Sequence, residues 1–205
     1  MNQIKLTKNR IEIILYSFFK GVNSISDEKV KAALNKLLEH FSVRLIEAPA
    51  SHKLAYHNCF PGGLIDHSIR VYIIFQYLFK KFGKACTNDD MIIAALFHDI
   101  GKLGTVDQPY YIPNSSQWHK EKLGAMYEIN SNISYMPHAQ RSVQLLSHFE
   151  VPLSDDVFRA ISIHDGMYVD CNRPYAMKEG MFALLLHMAD RLATEQEKSE
   201  WLAIQ

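Results

Sequence analysis

The stretch from Met91 to Phe97 constrains the fold more than any other, because every one of its residues is apolar. A surface helix keeps a polar face, so a helix without one is expected to be buried on all sides. His98 and Asp99 follow directly, and Gly101 then ends the helix. The helix end is therefore expected inside the protein or at the floor of a cleft. An ionised carboxylate there needs a strong partner, and a divalent metal is one.

Helical periodicity also dominates the rest of the chain and predicts an all-α fold. Ser26-Asp27-Glu28 and Asn88-Asp89-Asp90 are expected to cap the second and fourth helices. The predicted helices are 11–19, 30–41, 63–83, 91–99, 141–149, 155–163 and 181–195. The length of 205 residues fits one structural domain. Residues 1–50 are expected to form N-terminal helices packed on a core formed by residues 51–205.

The segment 104–137 departs from this helical pattern. It is rich in Pro, Asn, Ser, Tyr and Gly and lacks sustained periodicity. Two short extended pieces at 110–112 and 127–129, with a helical turn at 117–122 between them, predict a small irregular or β-hairpin excursion. An irregular insertion of this length in a compact domain is usually a lid or a binding loop.

Composition excludes several classes of protein. Lys plus Arg and Asp plus Glu are equal at 22 each, so the net charge gives no sign of a nucleic-acid or membrane partner. The three cysteines are scattered without a CxxC spacing, which indicates neither a zinc ribbon nor a disulfide framework. The N-terminus predicts an amphipathic helix rather than a signal peptide, and no apolar run is long enough to span a membrane. A cytoplasmic location is expected.

Further candidate metal ligands stand where the helical pattern predicts apolar residues. His67 falls on the apolar face of the third helix, and Asp190 lies deep in the apolar part of the last helix. His138 stands at a predicted helix start, and His164 ends an apolar run. The same anomaly recurs in separate helices, which favours a shared metal site.

Each of these residues also has a simpler interpretation. A lone histidine on an apolar face is more often a core histidine bonded to a backbone carbonyl. Asp190 can form a plain ion pair with Arg191, and His138 can cap its helix. Asp66, next to His67, is interpreted as a solvated or capping carboxylate.

The order His67, His98-Asp99, Asp190 resembles the metal-binding signature of the HD-domain phosphohydrolase superfamily. HNCFPGGLIDHSIRV is similar to the corresponding helix start of the subgroup that includes the HD domain of bacterial 3′–5′ exoribonucleases. IHDG and HMADRLA resemble two further elements of the family, and the likeness covers Lys53 to Thr194. The resemblance implies an all-α HD-domain bundle.

The resemblance also implies a ligand set. His67, His98, Asp99 and Asp190 would surround one metal ion. His138 and His164 stand where members with two ions have extra histidines, with Asp99 as the bridging ligand. Asp165 occupies a position where relatives often have another histidine, which leaves open whether a second ion binds. Imidazole and carboxylate ligands suit Mn, Fe, Mg, Co, Ni or Zn, and one or two divalent ions are expected.

The expected activity is hydrolysis of a phosphate ester by metal-activated water, on a monoester or diester of nucleotide type. Asp99 and Lys102 are the predicted catalytic residues, with Lys102 also placed to reach a substrate phosphate. A surface lysine after a helix end is the alternative for Lys102. His57 and Arg141 are further candidates for substrate binding, and His57 is equally well explained as a structural loop residue.

Four aromatic residues of the excursion can stack on a nucleobase or form a small core of their own: Tyr110, Tyr111, Trp118 and Tyr127. A small phosphorylated, nucleotide-like partner is therefore favoured, without stable nucleic-acid binding. Two other function classes stay open at this point. One is an HD-type module that senses a ligand or binds a partner without turnover, and the other is a di-iron oxygenase of HD-type fold.

Overall fold

The computed structural model describes residues 6–84 and 86–204. Residues 1–5 and 205, at the outer limits of the predicted N-terminal helices and core, lie outside the described residues. The α-helices are α1 (Lys8–Asn23), α2 (Glu28–His40), α3 (Ser42–Glu47), α4 (Gly63–Phe82), α5 (Asn88–Phe97), α6 (Gln117–Leu123), α7 (His138–His148), α8 (Asp155–Ile163) and α9 (Gly180–Ile204). Short 3₁₀ helices span Ile100–Leu103 and Asp170–Tyr175.

Two strands form the excursion that follows α5. Strand β1 (Tyr111–Pro113) pairs antiparallel with β2 (Tyr127–Ile129), and α6 lies between them in sequence. The prediction of an all-α bundle with a small hairpin is therefore confirmed. Among the described residues, no helix combines the length and the apolar character that crossing a membrane would require.

The observed boundaries differ from the predicted ones in a few places. Thr87, rather than the following Asn-Asp-Asp run, caps α5 by accepting a hydrogen bond from the backbone N–H of Asp90. α7 begins at His138, directly after Pro137, because proline fixes the backbone just before the first helical turn. Helix α9 runs well past Glu195. The short α3 was missed because it buries only Leu45, and one buried residue cannot produce a helical periodicity.

Helix α5 lies in the middle of the core, as its apolar sequence predicts. All residues from Ile92 to Phe97 are buried. Phe97 packs against Phe18 of α1, with ring centroids 5.7 Å apart. Phe75 of α4 meets Phe182 of α9 edge to face at 5.1 Å. These contacts join α5 to α1 and α4 to α9.

Gly101 allows the turn after α5 to approach α7 closely. Its backbone N–H donates a 2.8 Å hydrogen bond to Ser142 Oγ on α7. A Cβ at this position would lie 2.7 Å from the backbone nitrogen of Ser142 and closer still to the carbonyl oxygen of His138. Contacts that short do not occur in folded proteins, so glycine is required here for the approach. The close packing brings His138 to the end of α5.

Candidate metal centre

Asp99 lies at the centre of a histidine cluster, and its two carboxylate oxygens face different histidines. Oδ1 lies 3.2 Å from His138 Nε2 and 3.4 Å from His164 Nε2. Oδ2 lies 3.6 Å from His98 Nε2 and 3.8 Å from His67 Nε2. Asp99 is only 2 % exposed. One buried carboxylate is therefore shared between two sets of imidazoles.

The first set consists of His67 on α4, His98 at the end of α5, and Asp190 on α9. One ligand atom from each residue lies within 4.8 Å of the other two. His98 Nδ1 is bonded to the carbonyl oxygen of Ala95 at 2.9 Å, which turns Nε2 into the site. His67 Nε2 lies 3.0 Å from Asp190 Oδ1.

The second set consists of His138, His164 and Asp165, whose ligand atoms also lie within 4.8 Å of one another. Asp165 Oδ2 is 3.3 Å from His138 Nε2, and its Oδ1 is 3.9 Å from His164 Nε2. His164 Nδ1 is bonded to the carbonyl oxygen of Ile161 at 2.8 Å. The structure thus places the carboxylate of Asp165 where the family resemblance implies an imidazole.

The residues fit a divalent metal. His67 Nε2, His98 Nε2 and Asp99 Oδ1 are buried, and none of them has an aligned hydrogen-bond partner among the described residues. Buried polar atoms are nearly always paired, so three such atoms in one cluster indicate that another group satisfies them. Their chemistry, imidazole nitrogen and carboxylate oxygen without thiolate, suits a divalent metal.

Comparison with known families agrees with this geometry. The model of the HD domain family matches residues 64–195, more than half of the chain. The chain belongs to the HD domain family. No curated protein and no solved structure matches it. The HD segment contains both sets of candidate ligands, whereas His57 and Glu197 lie outside it.

The simpler interpretations of the histidines are partly right. His98 and His164 do bond backbone carbonyls, as core histidines often do. Each of these hydrogen bonds uses only Nδ1, so Nε2 of His98 and Nε2 of His164 remain available to bind a metal ion. The ion pair of Asp190 with Arg191 does not form, because Arg191 instead pairs with Glu195 at 2.8 Å.

Burial and charge shift the histidine pKa values in opposite directions. Burial disfavours the charged form of His67, but the carboxylates of Glu197 and Asp190 together outweigh it and the pKa rises to about 10. Burial likewise acts against charge on His164, and Asp165 raises its pKa to about 9. For His98 burial prevails and lowers the pKa to about 4. In the absence of metal, His67 and His164 therefore carry protons that a metal ion must displace.

The carboxylates of the HD site are ionised. Burial alone would raise the pKa of Asp99, but the Lys102 ammonium and the neighbouring histidines hold it well below its ordinary value. The pKa of Asp190 is also lowered against the effect of burial, chiefly through its contact with His67. Ionised carboxylates are the form that a metal ion requires.

Lys102 is not the surface residue of the alternative interpretation. It is 7 % exposed, and its Nζ lies 2.6 Å from Asp99 Oδ2. Burial opposes its charge, but Asp99 raises its pKa above the ordinary value. Lys102 thus brings a fixed positive charge directly to the shared carboxylate.

The two other predicted substrate contacts have different surroundings. His57 lines the cleft above the ligands, its ring centroid is 4.8 Å from that of His67, and its buried Nε2 has no hydrogen-bond partner among the described residues. Burial lowers its pKa, so the ring is neutral at pH 7. Arg141 is buried, donates to the carbonyl oxygen of Ser134 at 2.8 Å, and is not among the residues that line the cleft.

Sequence reasoning missed two buried carboxylates. Asp66 is buried and accepts hydrogen bonds from Arg10, Asn58 and Arg70, so its interpretation as a solvated or capping residue was wrong. Glu197 contacts His67 and was missed because the last helix was predicted to stop too early. Glu197 lies seven positions after Asp190, which is about two helical turns. This spacing indicates that both residues share the buried face of α9.

Proposed function

We propose that this HD-domain protein is a metal-dependent phosphohydrolase that cleaves a phosphate ester, with nucleotide-type monoesters or diesters as the favoured substrates. The division of Asp99 between two sets of histidines is the observation that carries the proposal. When bound, two divalent ions supply an activated water nucleophile and neutralise the charge that develops on the phosphoryl oxygens.

The charges of the cleft support binding of metal ions and of a phosphate group. Asp99, Asp165 and Asp190 line it among the candidate ligands, and the Lys102 ammonium contacts Asp99 directly. Arg191 and Lys198 line the same cleft. The carboxylates are suited to hold cations, and the basic side chains are suited to attract the phosphate of a substrate.

The protein's own polar groups are placed to orient the substrate. Lys102 is proposed to contact a non-bridging phosphate oxygen and to balance its charge. The neutral ring of His57, which lines the cleft, is proposed to hydrogen-bond the phosphate or the leaving group. The cleft encloses about 250 Å³, which suits a small phosphorylated molecule.

A second cleft, here called the tyrosine cleft, supports a substrate with an aromatic base. Tyr110, Tyr111 and Tyr127 line it together with Lys102, which also lines the metal cleft. It encloses about 310 Å³. The tyrosines contact one another as well, since the rings of Tyr110 and Tyr111 lie 4.8 Å apart, whereas Trp118 is exposed and does not line the cleft. A nucleobase stacked here would leave its phosphate near Lys102.

Hydrolysis of a panel of nucleotides and simple alkyl phosphates, each with Mn²⁺, Mg²⁺, Ni²⁺ or Co²⁺ added, tests this function. We expect turnover of at least one phosphoester and its loss in Asp99→Ala. Retained metal without hydrolysis on the whole panel would contradict the proposal and favour a binding module or an oxygenase.

The tyrosine cleft is tested by comparing Tyr111→Leu with Trp118→Ala, which alters an exposed aromatic residue of the same excursion. Base stacking contributes about 1–3 kcal/mol, so we expect Tyr111→Leu to raise KM for the nucleotide roughly tenfold or more and to leave an alkyl phosphate unaffected. An equal effect on both substrates would contradict base binding in this cleft.

A further inference from the structure

Glu197 is a buried carboxylate that lies against the imidazole of His67. It is 3 % exposed, and its side chain is shielded from solvent between α9 and α4. Its Oε1 and Oε2 lie 3.0 and 3.3 Å from His67 Nδ1. Glu197 also stands two residues beyond the matched HD segment, which ends at residue 195.

Structural pairing alone does not account for this burial. Arg70 is the nearest guanidinium, yet its Nε is 3.9 Å from Glu197. The groups of Arg70 are used elsewhere, since Asp66 accepts from Nε at 2.8 Å and Glu200 accepts from both terminal nitrogens. The main partner of the Glu197 carboxylate is therefore His67. Burying a carboxylate costs several kcal/mol unless a specific partner compensates it.

The contact determines which nitrogen of His67 faces the metal site. A neutral imidazole carries one N–H, and a carboxylate beside Nδ1 holds that hydrogen there. Once a metal ion displaces the second proton of His67, the lone pair of Nε2 would lie on the side of Asp190 and Asp99. A carboxylate bonded to the outer nitrogen also increases the basicity of a histidine ligand.

The other ligands of the two sets are oriented differently. His98 and His164 donate to backbone carbonyls, which are neutral. Among these three histidines, His67 is the one oriented by a buried charge. The effect of that charge is thus concentrated on the first set, which consists of His67, His98 and Asp190.

We infer that Glu197 is a positioning residue that fixes the tautomer of His67 and so sets the metal affinity of the first set. This inference rests on the metal-binding part of the proposed function but not on turnover. A direct ligand role for Glu197 is the competing explanation, since ligand atoms of His57, His67 and Glu197 also lie within 4.8 Å of one another. That group lacks the shared oxygens of Asp99, which makes it the poorer site.

Calorimetric titration with Mn²⁺ alone tests the inference. The wild-type protein is expected to show two binding steps, and the step lost in Asp190→Asn identifies the first set. Because the loss of such a carboxylate partner weakens metal binding about 10–100-fold, we expect a loss of about tenfold in Glu197→Gln, where the amide oxygen still accepts from Nδ1–H. We expect about 100-fold in Glu197→Ala. The other step should change less than twofold in both variants.

Glu200→Gln is the matched control, because Glu200 lies on the same helix and pairs with Arg70 but does not contact His67. It should leave both steps unchanged. A second readout is the His67 Nδ1–H signal in nitrogen-resolved NMR spectra of the Zn²⁺-loaded protein, expected in wild type and Glu197→Gln and lost to exchange in Glu197→Ala.

Three results would overturn the inference. Unchanged affinity in Glu197→Ala would show that the carboxylate does not act through His67. Loss of a whole metal equivalent in Glu197→Gln would make Glu197 a ligand. Equal weakening of both steps together with a lower melting temperature would make its role structural. If the protein hydrolysed no phosphoester on the panel, these metal-binding and NMR results would still stand, because none of them measures turnover.

Discussion

Replacing Gly101 by alanine tests how the fold delivers His138 to the shared carboxylate. The new Cβ would lie 2.7 Å from the backbone nitrogen of Ser142 and nearer still to the carbonyl oxygen of His138. Both atoms belong to backbone, so α7 and the turn after α5 must separate by roughly 1 Å to restore ordinary contact distances. The 2.8 Å hydrogen bond from Gly101 to Ser142 lengthens with that movement.

The expected cost follows from this geometry. Overpacking a close contact costs about 1–3 kcal/mol, which corresponds to a melting temperature lower by roughly 2–10 °C in a chain of this size. The displacement also moves His138 away from Asp99 Oδ1, from which it is now 3.2 Å. We therefore expect the second metal position to weaken more than the first, together with a fall in phosphoester hydrolysis.

The assay is thermal unfolding combined with Mn²⁺ titration and metal analysis of Gly101→Ala. Gly21→Ala is the control, because its Cβ would meet side chains outside the candidate ligand set, the end of Leu96 at 2.8 Å and the ring of Tyr72 at 4.0 Å. It should lower stability slightly and leave metal binding unchanged. Wild-type stability and both metal steps retained in Gly101→Ala would refute the argument that glycine is needed for the approach of α7.

Three further predictions concern charge at the site. Lys102→Met should lower kcat/KM by about 10²–10³-fold, the usual cost of removing one electrostatic contact to the transition state, without weakening Mn²⁺ binding. Lys198→Met, which alters a cleft residue paired with Glu195, is the control. Mn²⁺ binding should release protons and tighten as pH rises toward 9–10, because His67 and His164 have pKa values of about 10 and 9 without metal. The raised values also stabilise the metal-free fold below pH 6.5, and this contribution is lost as pH rises through 9–10. A melting temperature of metal-free protein that does not fall over this range, or binding without proton release, would contradict these shifts.

Features encoded in local sequence could be predicted well. The apolar run before His98 predicted a helix buried on every side, and Ile92 to Phe97 are buried. The extended pieces at 110–112 and 127–129 predicted the hairpin to within one residue. The structure also brings the predicted ligands of both sets together around Asp99.

Features that depend on distant partners could not be predicted. Asp66 is buried because Arg10 of α1 and Arg70 of α4 both reach it, and no local pattern signals that meeting. Lys102 follows a glycine at a helix end, a place where lysines are usually exposed, and its burial depends on pairing with Asp99. Glu197 required knowledge of how far α9 continues, which the amphipathic pattern after residue 195 does not specify.

Asp99 is proposed to join two metal positions, and the number of Mn²⁺ ions per chain tests this most directly. Metal analysis with electron paramagnetic resonance of the loaded protein should show two magnetically coupled ions. His138→Ala and His164→Ala should each reduce the content toward one, and Asp99→Ala should lose the coupling together with hydrolysis. A single ion per chain, unaffected by His138→Ala and His164→Ala, would contradict the claim.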